Sequence, residues 1–241
     1  TQSADNTLQA FWKTPLGLGV ILIYFMIAAT MVIPSMKALQ PVDKYYNNIY
    51  GSAAGFDFRI FYVAGKLASD SEFSSIYEEQ KFDEVWRKTY DITMPGRVHF
   101  SYPPLSLMVW APLSQLPYPV ALSLWIGIPF LGVLLLVYYI TRNYLVLAAT
   151  LFSPLFLFSG ITGQTGYLIT LLLAGGLISL DNKKYILAGI LFGLLCFKPH
   201  LALALPLCLI LTRQWKTIAS GTVTFLALIA LSYLIFGSES W

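Results

Sequence analysis

Residues 105–116 read LSLMVWAPLSQL, with Tyr102-Pro103-Pro104 before them and Pro117 and Pro119 after. The stretch is apolar but short. As a helix rising 1.5 Å per residue it would extend roughly 18 Å, against roughly 30 Å for a hydrocarbon core. Apolar segments of span-like character precede it at 15–36 and follow it at 120–140, 144–158, 166–180, 185–197, 201–211 and 217–236. Either residues 105–116 cross the membrane or they dip in and return, and charge decides between the two. If they do not cross, Lys13, Arg142, Lys183, Lys184, Arg213 and Lys216 all fall on one side, as the excess of Lys and Arg in cytoplasmic loops requires. If they do cross, Lys13 and the later basic groups fall on opposite sides.

The stretch therefore reads as a re-entrant or interfacial helix in a single membrane domain of seven spans. The loop 37–104, the turn 159–165 and Lys198-Pro199-His200 then share the outer, non-cytoplasmic side. Segments 185–197 and 201–211 are short for a full core, so their common turn stops below the outer surface or the membrane thins there. One bent helix through Pro199 is the competing reading, and it would put Arg213 and Lys216 outside.

Composition agrees with this class. The chain is 57% hydrophobic and 11% charged, which is the balance of an all-α integral membrane protein rather than of a water-soluble domain. The first apolar run exceeds the length of a signal-peptide core, so 15–36 reads as a retained anchor, with Phe11 and Trp12 at the interface. A net charge of +3 without a basic run makes nucleic acid an unsuitable partner. The two cysteines, Cys196 and Cys208, lie in apolar segments without metal-ligand spacing, and there is no phosphate-binding loop. Zinc hydrolysis, thiol exchange and nucleotide hydrolysis find no support. Counting leaves a Ser/His/Asp triad open, but nothing in the spacing suggests one.

The long polar segment, Gly51 to Pro104, carries most of the acidic residues. Within it, Phe56 to Asp70 has helical periodicity. Arg59, Tyr62, Lys66, Ser69 and Asp70 fall on one polar arc, while Asp57 projects from the other side among Ile60, Phe61, Ala64, Leu67 and Ala68. A carboxylate on an apolar face costs several kcal/mol, in order of magnitude, unless it has partners. Asp57 thus reads either as a functional carboxylate or as the N-cap of this helix. Further on, Ser75-Ile76-Tyr77-Glu78 resembles a capping box that opens a second amphipathic helix through Tyr90, with Phe82, Val85, Trp86 and Thr89 on one side. Such helices commonly lie flat on a membrane.

Three other groupings have possible chemistry. Lys198-Pro199-His200 sets a cation, a helix breaker and a titratable ring between two apolar runs; it reads as a functional group whose lysine can meet a phosphate, or as a lysine reaching to the headgroups with His200 at the interface. Gly160-Ile161-Thr162-Gly163-Gln164-Thr165-Gly166 permits tight turning beside a ligand, with Gln164 able to donate and accept, or is an ordinary turn. Arg97-Val98-His99-Phe100-Ser101-Tyr102 places Arg97 and His99 just before a diproline, as the wall of a pocket or as the lead-in to a helix.

In order and spacing, Asp57 with Phe61-Tyr62-Val63-Ala64 after it, Tyr102-Pro103-Pro104-Leu105, Gly163-Gln164, Lys198-Pro199 and Arg213-Gln214-Trp215-Lys216 resemble the GT-C membrane glycosyltransferases. The resemblance is nearest to glycosyltransferase family 87, the polyprenyl-phosphate-mannose-dependent mannosyltransferase type. It implies a GT-C-like multi-span helical bundle with a long structured first outer loop, and a chain that stops before the family's C-terminal helices. It also implies an inverting transfer of a sugar, mannose, from a polyprenyl-phosphate donor to an acceptor hydroxyl of a lipid or glycan, at the outer face of a bacterial inner membrane. By resemblance Asp57 is the general base and Lys198, with His200, holds the donor phosphate; Arg59, His99, Tyr102 and Gln164 wall the pocket. No cofactor is expected, the lipid-linked sugar being a substrate, and metal dependence stays open. The competing classes are a noncatalytic subunit of a larger membrane complex and a lipid-binding or transport module using the same groove.

Overall fold

A computed structural model describes residues 55–90, 97–199 and 204–241, together with Pro15, Gly19 and Met26. Apart from those three, the expected span at 15–36 lies outside the described residues, as do the start of the 201–211 segment and His200. Among those described there are α-helices and short 3-10 turns and no strand, so the all-α membrane class holds.

The polar segment forms three helices, α1 (Phe56–Ser69), α2 (Phe73–Tyr77) and α3 (Glu79–Tyr90). A 3-10 turn (Pro104–Ser106) runs into α4 (Leu107–Ser114). Beyond it come α5 (Tyr118–Thr141), α6 (Tyr144–Leu151), α7 (Pro154–Thr162), α8 (Gly166–Asp181), α9 (Tyr185–Leu194), α10 (Ala204–Leu211) and α11 (Trp215–Phe236). By length and apolar composition α5 and α11 each suffice to cross a membrane, and the bent pair α6 and α7 would make a third.

The sequence signals differ in how well they anticipate these elements. No capping box opens α3: Ser75 lies inside the short α2, and Glu78 instead pairs with Lys81 at 2.7 Å. The apolar face of α3 turns inward, burying Phe82, Trp86 and Tyr90 at successive four-residue steps rather than resting on a membrane. Segment 144–158 is two helices meeting at 49°, and the second continues to Thr162. The break has a local cause: Pro154 cannot donate a backbone N–H, and Ser153 caps the new helix by accepting from the Phe156 N–H.

The polar arc expected on α1 is also corrected. Arg59 and Tyr62 are buried, Arg59 completely, and only Lys66, Ser69 and Asp70 of that arc are exposed. The other side of the helix is met by α4, where Phe61 stacks on Trp110 at 4.4 Å between ring centres and 15° between planes. The Tyr62 hydroxyl donates to the Leu116 carbonyl at 2.7 Å and that of Ser69 to the Ala111 carbonyl at 3.3 Å. Helix α4 is thus the floor on which α1 lies.

The long helices are joined differently. Helices α9 and α11 approach so closely that a Cβ on Gly189 would come within 1.8 Å of the Ser220 hydroxyl and 2.4 Å of the Thr217 carbonyl. One turn on, Gly193 faces Thr224 and Gly221 in the same way. Small residues four apart let two backbones meet where lipid offers no hydrophobic drive for association.

Helix direction separates the two ends of the bundle. The Tyr118 hydroxyl, at the start of α5, donates to the Gly55 carbonyl at the start of α1. Twenty-four residues later, roughly 36 Å away by helical rise, α5 ends at Arg142. Phe236 likewise packs on Phe73 while Arg213 and Lys216 flank the other end of α11. Arg142, Lys183 and Arg213 all adopt left-handed backbone in tight turns at the end remote from Asp57.

Candidate active site

The N-terminus of α1 is built around Gly55, whose φ of 71° makes it the helix cap, so Asp57 is not the N-cap but sits in the first turn. There the exposed N–H groups favour a negative charge. The first turn is clamped from three sides. The Gly55 N–H donates to the Ile161 carbonyl at 2.7 Å, Tyr118 holds the Gly55 carbonyl, and the Trp125 indole donates to the Gly163 carbonyl at 2.9 Å. Gly163, also left-handed, ends α7, and a Cβ on it would lie 2.7 Å from the Cβ of Phe58. Only a glycine lets the α7–α8 turn close on α1.

That turn delivers Thr162, Gln164 and Thr165 to Asp57 and Lys198. Burial raises the Asp57 carboxyl above the ordinary carboxylate value; a hydrogen bond from Gln164, the charge of Lys198 and a hydrogen bond with Thr162 pull it back, in that order. Thr162 has one hydroxyl proton and also lies 2.9 Å from the Phe158 carbonyl, so Gln164 is the steadier donor. The Lys198 ammonium donates to the Thr165 hydroxyl at 3.3 Å and stands 5.5 Å over the Tyr102 ring. Thr165 is itself almost fully buried. Tyr102 is wedged between Phe61 and Phe197, at 5.0 and 6.4 Å.

A cavity of about 350 Å³ opens between these groups. Asp57, His99, Tyr102, Gln164 and Lys198 line it together with Arg97 and Ser101. Arg59 does not: its guanidinium lies 4.6 Å over the Tyr90 ring, beside Tyr118, on the far side of α1 from the cavity. Its burial there is a tertiary effect that helical periodicity alone misassigns.

On the other face of residues 195–199 lies a second cavity of about 320 Å³, lined by Cys196, Pro199, Leu205, Leu209, Ile218 and Phe225 among others, and almost wholly apolar. Lys198 faces the polar cavity while its near neighbours Cys196 and Pro199 face the apolar one. A single short segment therefore divides a charged chamber from a greasy one. No group of three or more His, Cys, Asp or Glu side chains able to hold a metal ion occurs among the described residues.

Sequence reasoning missed Trp125, Thr162 and Thr165. The last two lie within the glycine-rich segment and are read only as part of its turn. Trp125 lies in an apolar helix and gives no local sign of its bond to Gly163.

Compared with known proteins, residues 100–241 match the model of glycosyltransferase family 87. The match takes in Tyr102, Gln164 and Lys198 and begins after Asp57 and His99. No curated protein and no solved structure matches the chain.

Proposed function

Because the chain belongs to glycosyltransferase family 87 and is a membrane glycosyltransferase, we propose that it moves a sugar from a polyprenyl-phosphate donor onto an acceptor hydroxyl, with Asp57 as general base. The observation that carries this reading is the placement of Asp57 and Lys198 on one polar cavity, with an apolar cavity on the other face of the segment that bears Lys198. A ligand with a charged head and an isoprenoid tail fits that division: phosphate at Lys198, tail along Cys196, Pro199 and Leu209. Mannose is the sugar supported by the resemblance to the polyprenyl-phosphate-mannose-dependent type. The acceptor is a lipid or glycan, and the cavity opens on the non-cytoplasmic side, with the cationic turns at Arg142, Lys183 and Arg213 opposite. His200, next in the chain after Pro199, is a further candidate for the phosphate.

The chemistry follows from the groups present. The acceptor oxygen attacks the anomeric carbon as its proton passes to the Asp57 carboxylate. The bond from that carbon to the phosphate oxygen breaks, its electron pair leaves with the lipid phosphate, and attack from the opposite face inverts the centre. Burial makes Asp57 a stronger base than a surface carboxylate, and Gln164 orients it. Charge grows on the phosphate as the bond breaks, so a cation at Lys198 favours the transition state over the bound donor.

General-base assistance is worth about 10² to 10⁴ in rate. Asp57→Asn is therefore expected to keep fold and donor binding and to lose most turnover with polyprenyl-phosphate mannose, while Lys198→Ala also weakens donor binding. Wild-type turnover in Asp57→Asn would refute the role of Asp57. A native chain that binds the donor lipid and turns over no sugar would favour a noncatalytic member of a membrane complex or a lipid-binding module.

A further inference from the structure

Residues 97–101, before the diproline, form neither helix nor strand, and exposure alternates along them. Phe100 is buried against Phe82 and Tyr77, whereas Arg97, His99 and Ser101 are exposed and line the cavity with Lys198 and Asp57. The segment is fastened at both ends. The Val98 N–H donates to Asp83 at 2.9 Å, and Tyr77 donates to the Tyr102 carbonyl at 3.2 Å. Asp83 is braced by Arg87 at 2.7 Å. That hydrogen bond above all holds its carboxyl below the ordinary value, with the Val98 N–H and the charges of Arg87 and Arg97 contributing. Arg97 is thus a cation on a held wall at the mouth of the chamber.

Charge accounting around the cavity leaves Arg97 unused by the reaction as described, since Asp83, which feels its charge, is already paired with Arg87. Lys198 and Asp57 offset each other, and a donor phosphodiester adds one negative charge. When the sugar leaves, the lipid phosphate becomes a monoester that tends toward a second negative charge, since its second ionisation lies near neutrality. We propose that Arg97 is a second phosphate-binding residue of this site, meeting the charge that appears on the leaving lipid phosphate, so that it holds the product and the transition state more tightly than the donor. The inference rests on the polyprenyl-phosphate donor reading. Guanidinium suits the task because its planar fork can grip two phosphate oxygens at once.

The test compares two probes on the detergent-solubilised full chain: farnesyl phosphate, with the charge of the product, and its methyl phosphodiester, with the single charge of the donor. The wild type is expected to bind the monoester more tightly. Arg97→Gln should lose about tenfold in monoester affinity, as expected for one charge-assisted contact, and far less in diester affinity, so the preference collapses. Arg97→Lys should restore most of it, and Lys198→Ala should weaken both probes. A purely structural Arg97 would lower thermal stability, or weaken both probes equally, and leave the preference intact; that result overturns the proposal, as does a wild type that binds both esters alike. A wild type that binds neither probe would instead remove the donor reading beneath it.

Discussion

Helix α1 comes from the most polar part of the chain, yet Phe58, Arg59 and Ala64 are fully buried and Val63 is 2% exposed. Helix α11 is apolar enough to cross a membrane, yet Leu234 is 79% exposed and Val223 65%. Around α1, stability comes from burying aromatic rings: Phe58 and Phe61 join Trp110 of α4 and Tyr118 and Trp125 of α5 in one contiguous cluster. In the bundle, lipid solvates leucine as well as protein does, so helices need only meet through small residues such as Gly189 and Gly193. The proposed chemistry sits between the two, with Asp57 on the polar cavity and the apolar cavity behind the segment that bears Lys198.

This difference can be broken at either end. The larger effect is expected beneath α1, in α4. Trp110 is 1% exposed, and its indole N–H has no hydrogen-bond partner among the described residues, so its contribution is packing alone. Trp110→Ala should cost about 3–5 kcal/mol, the usual range for emptying an aromatic core site, and should lower turnover as α1 loses its floor. Thermal unfolding in detergent with a parallel activity assay would show it. The smaller effect is expected on α11: Leu234→Ala should change stability by less than about 0.5 kcal/mol, as for an exposed site, because in detergent or lipid that side chain keeps an apolar surrounding in either form. A large loss there would mean that another protein surface covers this face of α11, sharpening the comparison into a question of partners.

What the sequence reveals follows the same division. The long apolar helices are legible because length and hydropathy alone define them: residues 120–140 and 217–236 lie within α5 and α11. The short apolar segment after Pro104 is legible as a helix, since prolines bound it and α4 occupies Leu107–Ser114. The loop is harder. Helical periodicity puts Arg59 with the solvent-facing residues, but Tyr90, thirty-one positions away, and Tyr118, still further along, enclose it. The site is half legible for that reason. Asp57, Gln164 and Lys198 announce themselves as polar groups in apolar surroundings, and the structure brings them to one cavity with His99 and Tyr102. The residues that hold them, Trp125 and Gly163 above all, act through backbone contacts between segments far apart in sequence.

With Asp57 proposed as a base whose strength its neighbours set, the pH dependence of kcat/KM is the decisive measurement. Burial raises the carboxyl, while Gln164, Lys198 and Thr162 lower it. A base acts when deprotonated, so activity should rise with pH through an acid limb lying above the ordinary carboxylate value. Gln164→Leu removes the largest lowering influence and should move that limb to higher pH, and Lys198→Ala should move it the same way by a smaller step. Asp57→Asn should abolish the limb together with most of the rate. An acid limb that stays in place in all three variants, with turnover kept in Asp57→Asn, would show that Asp57 is not the base.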